Sequence, residues 1–226
     1  MKINADPQGM LPEYIVVEGP IGVGKTSLAK RLAGEFSAET LFEQPKDNPF
    51  LEKFYQSREK YALATQLHFL FQRSKQIKTL MQRDMFQTAC VGDFLLEKDR
   101  LFARLNLDED ELHLYEQVYE SLSPELPRPN LVIYLQAPVP VLMKRIEKRG
   151  IDAEQIIDKD YLDALCSSYT SFFHTYKASP LLVVNAEHIN YVDSDEDYRL
   201  LLDHILKIKS GRHFFNPMVT AQHANR

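Results

Sequence analysis

Gly19-Pro20-Ile21-Gly22-Val23-Gly24-Lys25-Thr26 follows the spacing G-x-x-x-x-G-K-[ST], and its two flanks have opposite character. Before it, Glu13-Tyr14-Ile15-Val16-Val17-Glu18 is a short β-branched run that reads as a strand. After it, Leu28, Leu32 and Phe36 recur at i, i+4 and i+8, which predicts a helix over 25–36. A strand that turns through glycines into a helix N-terminus makes a phosphate cradle. Its N–H groups turn inward, and the helix end adds partial positive charge. Lys25 can reach β- and γ-phosphates, and the Thr26 hydroxyl can sit on Mg²⁺. With Ser27 next in line, these residues are the candidate site for a nucleoside triphosphate such as ATP. The motif alone does not say what receives the phosphate.

Four further apolar runs read as strands: Thr40–Glu43, Thr88–Gly92, Leu131–Leu135 and Leu181–Asn185. Helical patterns separate them. Asn48-Pro49 reads as a cap and first position of a short helix to about Tyr55, and a long helix follows from about Glu59 to Arg83. Helical segments then run to about Ser121, with Pro124, Pro127 and Pro129 in a loop; later helices span 141–149, 160–176 and 195–209. Strands alternating with helices predict an α/β fold, a three-layer P-loop sandwich with a five-stranded parallel sheet flanked by helices. We expect a loose leader at 1–12, one domain over 13–209 and a frayed tail over 210–226. Ligands in such sheets bind at the carboxyl ends of the strands.

Composition removes several function classes. With 27 basic and 32 acidic residues the net charge is −5, so no domain-wide basic field exists to hold nucleic acid. No apolar run approaches the ~18 residues of a membrane span, and the first residues lack the apolar core of a signal peptide, so a cytoplasmic protein is expected. Cys90 and Cys166 read as buried thiols of a reducing compartment. The seven histidines are scattered without metal-ligand spacing.

Charged residues at the strand ends each carry two readings. Glu43 is a general base for an attacking hydroxyl, or an exposed strand-end carboxylate. Asp93 acts on Mg²⁺, or caps a helix. Gln66, Phe69, Leu70 and Arg73 share one face of the long helix; spacing alone reads as a solvated edge, and the amide and guanidinium around an aromatic would also suit a planar hydrogen-bonding ligand. Arg145 and Arg149, with Lys144 and Lys148 before Gly150, form a phosphate-clamping lid near 145–156, or simply complement a helix dipole.

Together these motifs resemble the deoxyribonucleoside kinase family, the group of deoxycytidine, deoxyguanosine and deoxyadenosine kinases, from about Tyr14 to Asn185. Bacterial members are especially similar around Phe42-Glu43-Gln44-Pro45 and Asn48-Pro49-Phe50-Leu51-Glu52-Lys53-Phe54-Tyr55. The resemblance implies transfer of the γ-phosphate of ATP or another triphosphate to the 5′-hydroxyl of a deoxynucleoside, with Mg²⁺, in a homodimer. It implies Glu43 as the base, Tyr55 and Glu154 on the sugar 3′-hydroxyl, and Gln66 and Arg73 at the nucleobase with Asp99 behind the arginine. It also implies Lys25, Arg145 and Arg149 on the phosphates, and Thr26 and, through water, Asp93 on the metal. The sequence departs from the family at Asp93-Phe94-Leu95, where Glu-Arg-Ser is common, and at Ile151, where a third lid arginine is common. A thymidylate-type monophosphate kinase and a non-catalytic nucleotide-binding switch are the competing readings. The first needs a cation beside an acceptor phosphate, and the second needs no nucleoside contacts.

Overall fold

The computed structural model describes residues 13–82, 89–122 and 128–217. The leader 1–12, residues 83–88 (with Thr88), the loop around Pro124–Pro127 and the tail from 218 lie outside those residues. Strands β1 (Tyr14–Glu18), β2 (Glu39–Leu41), β3 (Cys90–Gly92), β4 (Leu131–Gln136), β5 (Leu181–Asn185) and β6 (Arg212–Phe215) form one sheet in the order β2-β3-β1-β4-β5-β6. Every pairing is parallel. All five residues of β1 are buried, as expected of a central strand covered on both faces. From β1 the chain first builds β2 and β3 on one side and then crosses to β4 on the other. The turn after β1 therefore sits at the point where the winding reverses, where open α/β sheets leave a crevice.

The helices are α1 (Lys25–Phe36), α2 (Leu51–Gln56), α3 (Arg58–Gln82), α4 (Lys98–Asn106), α5 (Glu109–Leu122), α6 (Val139–Arg149), α7 (Lys159–Thr175) and α8 (Asp195–Ile205). Leu28, Ala29, Leu32 and Ala33 bury the inner face of α1. Tyr134 of β4 stacks on Phe173 of α7 at 4.2 Å between centroids, fastening that helix to the sheet. Gly150 ends α6 at φ 64, the left-handed cap that lets the chain turn into the following segment.

Four expectations need correction. Among the described residues the sheet has six strands, not five, because Arg212–Phe215 pairs with β5 instead of fraying. Phe215 is buried and Phe214 exposed, while the Arg212 guanidinium donates to the carbonyls of Phe173, His174 and Tyr176, so backbone pairing and one arginine hold an edge strand with a weak apolar pattern. β2 stops at Leu41, and Glu43 lies in the loop beyond it. The short helix begins at Leu51; Asn48 instead accepts the Phe50 N–H and donates to Thr65 O from a buried position. Cys90 is buried, but Cys166 is only half-buried; burial pushes the two thiols up to about 12 and about 11, so both stay protonated.

Candidate active site

The phosphate loop leaves β1 with its backbone in conformations that side chains resist. Gly19 has φ +150, and a Cβ there would lie 2.5 Å from the Leu135 carbonyl oxygen of the neighbouring strand. Gly19→Ala must therefore shift backbone. We expect it to cost about 1–3 kcal/mol of stability and to weaken triphosphate binding at least tenfold, read by denaturant melts and titration calorimetry. Gly24 (φ 101) opens α1, so the first N–H groups of that helix face the loop. Lys25 folds back over the loop and donates to Gly19 O (2.8 Å) and Pro20 O (3.2 Å). Burial, then the charge of Lys98, lower its ammonium below the ordinary lysine value, against the pull of Glu18, Glu43 and Asp93. An anion on the loop relieves that deficit.

Opposite the loop the ends of β1, β2 and β3 gather an ionic cluster. The Glu43 carboxylate accepts from Arg73 Nε (3.0 Å) and Nη2 and from Lys98 Nζ (2.6 Å). Burial alone would raise its carboxyl; Arg73, then Lys98 and Lys25, outweigh that and hold it well below the usual carboxylate range. Arg73 is also paired with buried Asp99. Lys98 reaches Glu18 at 3.2 Å. Asp93 accepts the Glu43 N–H (2.8 Å) on one oxygen and the Thr26 hydroxyl (2.5 Å) on the other. Burial and then the Glu43 charge raise the Asp93 carboxyl, opposed by those hydrogen bonds and by Lys98.

Two cavities flank the phosphate loop, and one of them opens on this cluster. One, of about 530 Å³, runs from the phosphate loop past Arg145, Lys148 and Arg149 to residues 187–193. The other, of about 140 Å³, is lined by Glu43, Tyr55, Gln66, Arg73, Asp93, Lys98, Arg149 and Glu154 together with the aromatic rings of Phe54, Phe69, Phe102, Tyr161 and Tyr169. Gly22, Lys25, Thr26 and Arg149 belong to both.

The predicted residues fall as follows. Glu43, Tyr55, Gln66, Arg73 and Glu154 meet in the second cavity, and Asp99 stands behind Arg73. Gln66 and Arg73 are each 4% exposed, so their helix face is an inner wall and not a solvated edge. Arg149 pairs with Glu154 between the cavities. Arg145 is tied down: it donates to Ala186 O (2.7 Å) and Val23 O (3.3 Å), bracing the phosphate loop against the end of β5. Arg100, the neighbour of Asp99 in the chain, is not part of the cavity lining and turns outward to Glu116 and Glu120. The sequence reading missed Glu18, Lys98 and the 187–193 loop. In the sequence Lys98 opens a helix like any solvated lysine, and nothing local marks the loop.

Thr26 and Asp93 offer a hydroxyl and a carboxylate oxygen at the foot of the phosphate loop, 2.5 Å apart. Two hard oxygen donors beside a phosphate cradle suit Mg²⁺, which is commonly held by one carboxylate plus substrate phosphates. The residues fit the ion.

A model of the deoxynucleoside kinase family matches residues 15–209. Deoxyguanosine kinase of Bacillus subtilis strain 168 is 32% identical over 200 residues, covering 86% of this chain and 97% of the relative. Deoxyadenosine kinase of Lactobacillus acidophilus is 30% identical, covering 80% and 88%. The solved structure of deoxyadenosine kinase from M. mycoides with bound dATP superposes with a TM-score of 0.73 at 25% identity, covering 85% of this chain and 98% of that one. The chain belongs to the deoxynucleoside kinase family and is a nucleoside phosphotransferase.

Proposed function

We propose that this chain transfers the γ-phosphoryl group of ATP to the 5′-hydroxyl of a purine deoxynucleoside. One observation carries the reading: a cavity beside the phosphate loop and a cavity lined by Glu43, Gln66 and Arg73 meet at Lys25, Thr26 and Arg149. Triphosphate in the first and sugar in the second would bring the reacting groups together at that junction. Phosphoryl transfer asks little covalent chemistry of a protein, so positioning and charge carry the catalysis.

In this reading the loop from Gly19 to Ser27 binds the triphosphate, and Lys25 moves from the loop carbonyls onto its phosphates. Thr26 and Asp93 would hold Mg²⁺, which when bound offsets phosphate charge. Glu43 accepts the proton of the attacking hydroxyl. Tyr55 and Glu154 hold the 3′-hydroxyl, while Gln66 and Arg73 meet the base edge with Asp99 keeping the guanidinium in plane. Arg149 sits over the phosphates in flight. Arg145 serves the donor side, its grip on Val23 O fixing the loop for the phosphates.

Purine preference rests on the relatives named deoxyguanosine and deoxyadenosine kinase. The measurement is kcat/KM for deoxyguanosine, deoxyadenosine, deoxycytidine and thymidine. We expect a purine to exceed both pyrimidines at least tenfold; a pyrimidine preference overturns that part. Deoxynucleoside monophosphates offered as acceptors should fail, which separates this reading from a monophosphate kinase. A homodimer in the cytoplasm belongs to the same proposal. Light scattering should return twice 26.2 kDa. Among the described residues no helix is long and apolar enough to cross a membrane.

A further inference from the structure

We infer that Lys98, anchored by Glu18, is a positioning residue for the transfer: it fixes the Glu43 carboxylate beside the junction of the two cavities and supplies the positive charge that Phe94 does not. This rests on the reading of Glu43 as proton acceptor.

Lys98 lies at the start of α4, outside every motif, yet its side chain is 2% exposed. Burying a lysine side chain is costly unless polar partners, carboxylates best of all, replace its water. Here Glu43 lies at 2.6 Å and Glu18 at 3.2 Å. The two carboxylates are not equivalent. Glu18, the last residue of β1, is fully buried, and its oxygens also accept from the N–H groups of Gly19 (2.9 Å) and Leu95 (2.8 Å) and the Tyr169 hydroxyl (3.1 Å). With Lys98 these are four donors for about four lone-pair positions. Glu18 is therefore a saturated anchor, set in the central strand immediately before the phosphate loop.

Glu43 has no such scaffold. It sits in the loop beyond β2, and its carboxylate is held by two side chains, Arg73 and Lys98. Arg73 has a second partner in Asp99 and lines the acceptor cavity beside Gln66. A nucleobase that engages Arg73 draws on the same guanidinium that now holds Glu43. Among the described residues Lys98 has no such alternative: its other carboxylate is the anchor. It is thus the contact that keeps Glu43 in place while the base is bound. Phe94 is fully buried with its ring centroid 5.7 Å from the Arg73 guanidinium carbon, so it fills space beside that guanidinium without charge. Lys98, four residues on, brings the cation from the next element.

The test compares Lys98→Met, Lys98→Arg and Glu18→Gln with the wild type in steady-state transfer to whichever of the four natural deoxynucleosides the wild type uses best, with KM for ATP and for nucleoside measured separately. We expect Lys98→Met to lower kcat by roughly 10²-fold with KM for ATP within about threefold. Lys98→Arg should recover a tenth or more of wild-type kcat, and Glu18→Gln should fall between. A folded Lys98→Met with wild-type kcat overturns the inference. So does an equal loss in Met and Arg variants accompanied by a parallel rise of both KM values, which marks packing alone. Should Lys98→Met fail to fold, Lys98→Arg and Glu18→Gln decide: lowered kcat at unchanged KM supports the role, and wild-type kcat in both overturns it. A wild type that transfers nothing sinks the proposed function and this inference together; a wild type that transfers while Lys98→Met keeps pace sinks only the latter.

Discussion

Glu43→Gln lowers kcat by roughly 10²-fold or more while ATP still binds with near wild-type affinity. The amide keeps the size of the carboxylate and its seat between Arg73 and Lys98 but cannot take a proton from the acceptor hydroxyl. In the proposed arrangement ATP would lie on the far side of the junction, so calorimetry with ATP alone should change little. Stability changes too, with a definite sign. The Glu43 carboxyl is held below its ordinary 4.5 in the folded chain by Arg73, Lys98 and Lys25. A depressed folded value adds stability that is complete above the unfolded value and is lost as pH falls through the folded one. Glu43→Gln should therefore be less stable than wild type at pH 7, and the gap should narrow as pH is lowered toward 3. Denaturant midpoints across that range check it. Near-normal turnover would remove Glu43 from the base role.

Lys25→Met shows the opposite pattern. We expect roughly 10³-fold loss of transfer, because the ammonium proposed to meet the phosphates is gone. The unliganded protein should be as stable as wild type or more so. Burial and Lys98 lower the Lys25 value, so the charged form is disfavoured in the folded state and charging it at neutral pH opposes folding. What should vanish is the rise in melting temperature on adding ATP. A Lys25→Met protein that melts far below wild type without ligand would contradict this.

Much of the candidate site is legible in the sequence because local spacing places its residues. The phosphate loop needs its glycines, lysine and threonine in one short run between a strand and a helix, and α1 spans the residues that its periodicity marks, 25–36. Gln66 and Arg73 share a face because seven residues make two helical turns. What was hidden depends on contacts between distant segments. Glu18 and Lys98 are far apart in the chain and meet only because β1 and β3 are neighbours in the sheet. Arg145 has the spacing of a free lid residue, but its bonds to Ala186 and Val23 appear only once β5 lies beside β4. β6 escaped for a related reason: its pairing with β5 uses backbone groups that carry no side-chain signature, after Gly211 at φ 78 that reads as a terminator.

Incubation of the purified chain with γ-labelled ATP, Mg²⁺ and each of the four natural deoxynucleosides tests the central claim most directly. Label should appear on the 5′-oxygen of a purine deoxynucleoside, one monophosphate for each ADP released. ATP bound to the loop while all four deoxynucleosides stay unlabelled would contradict it.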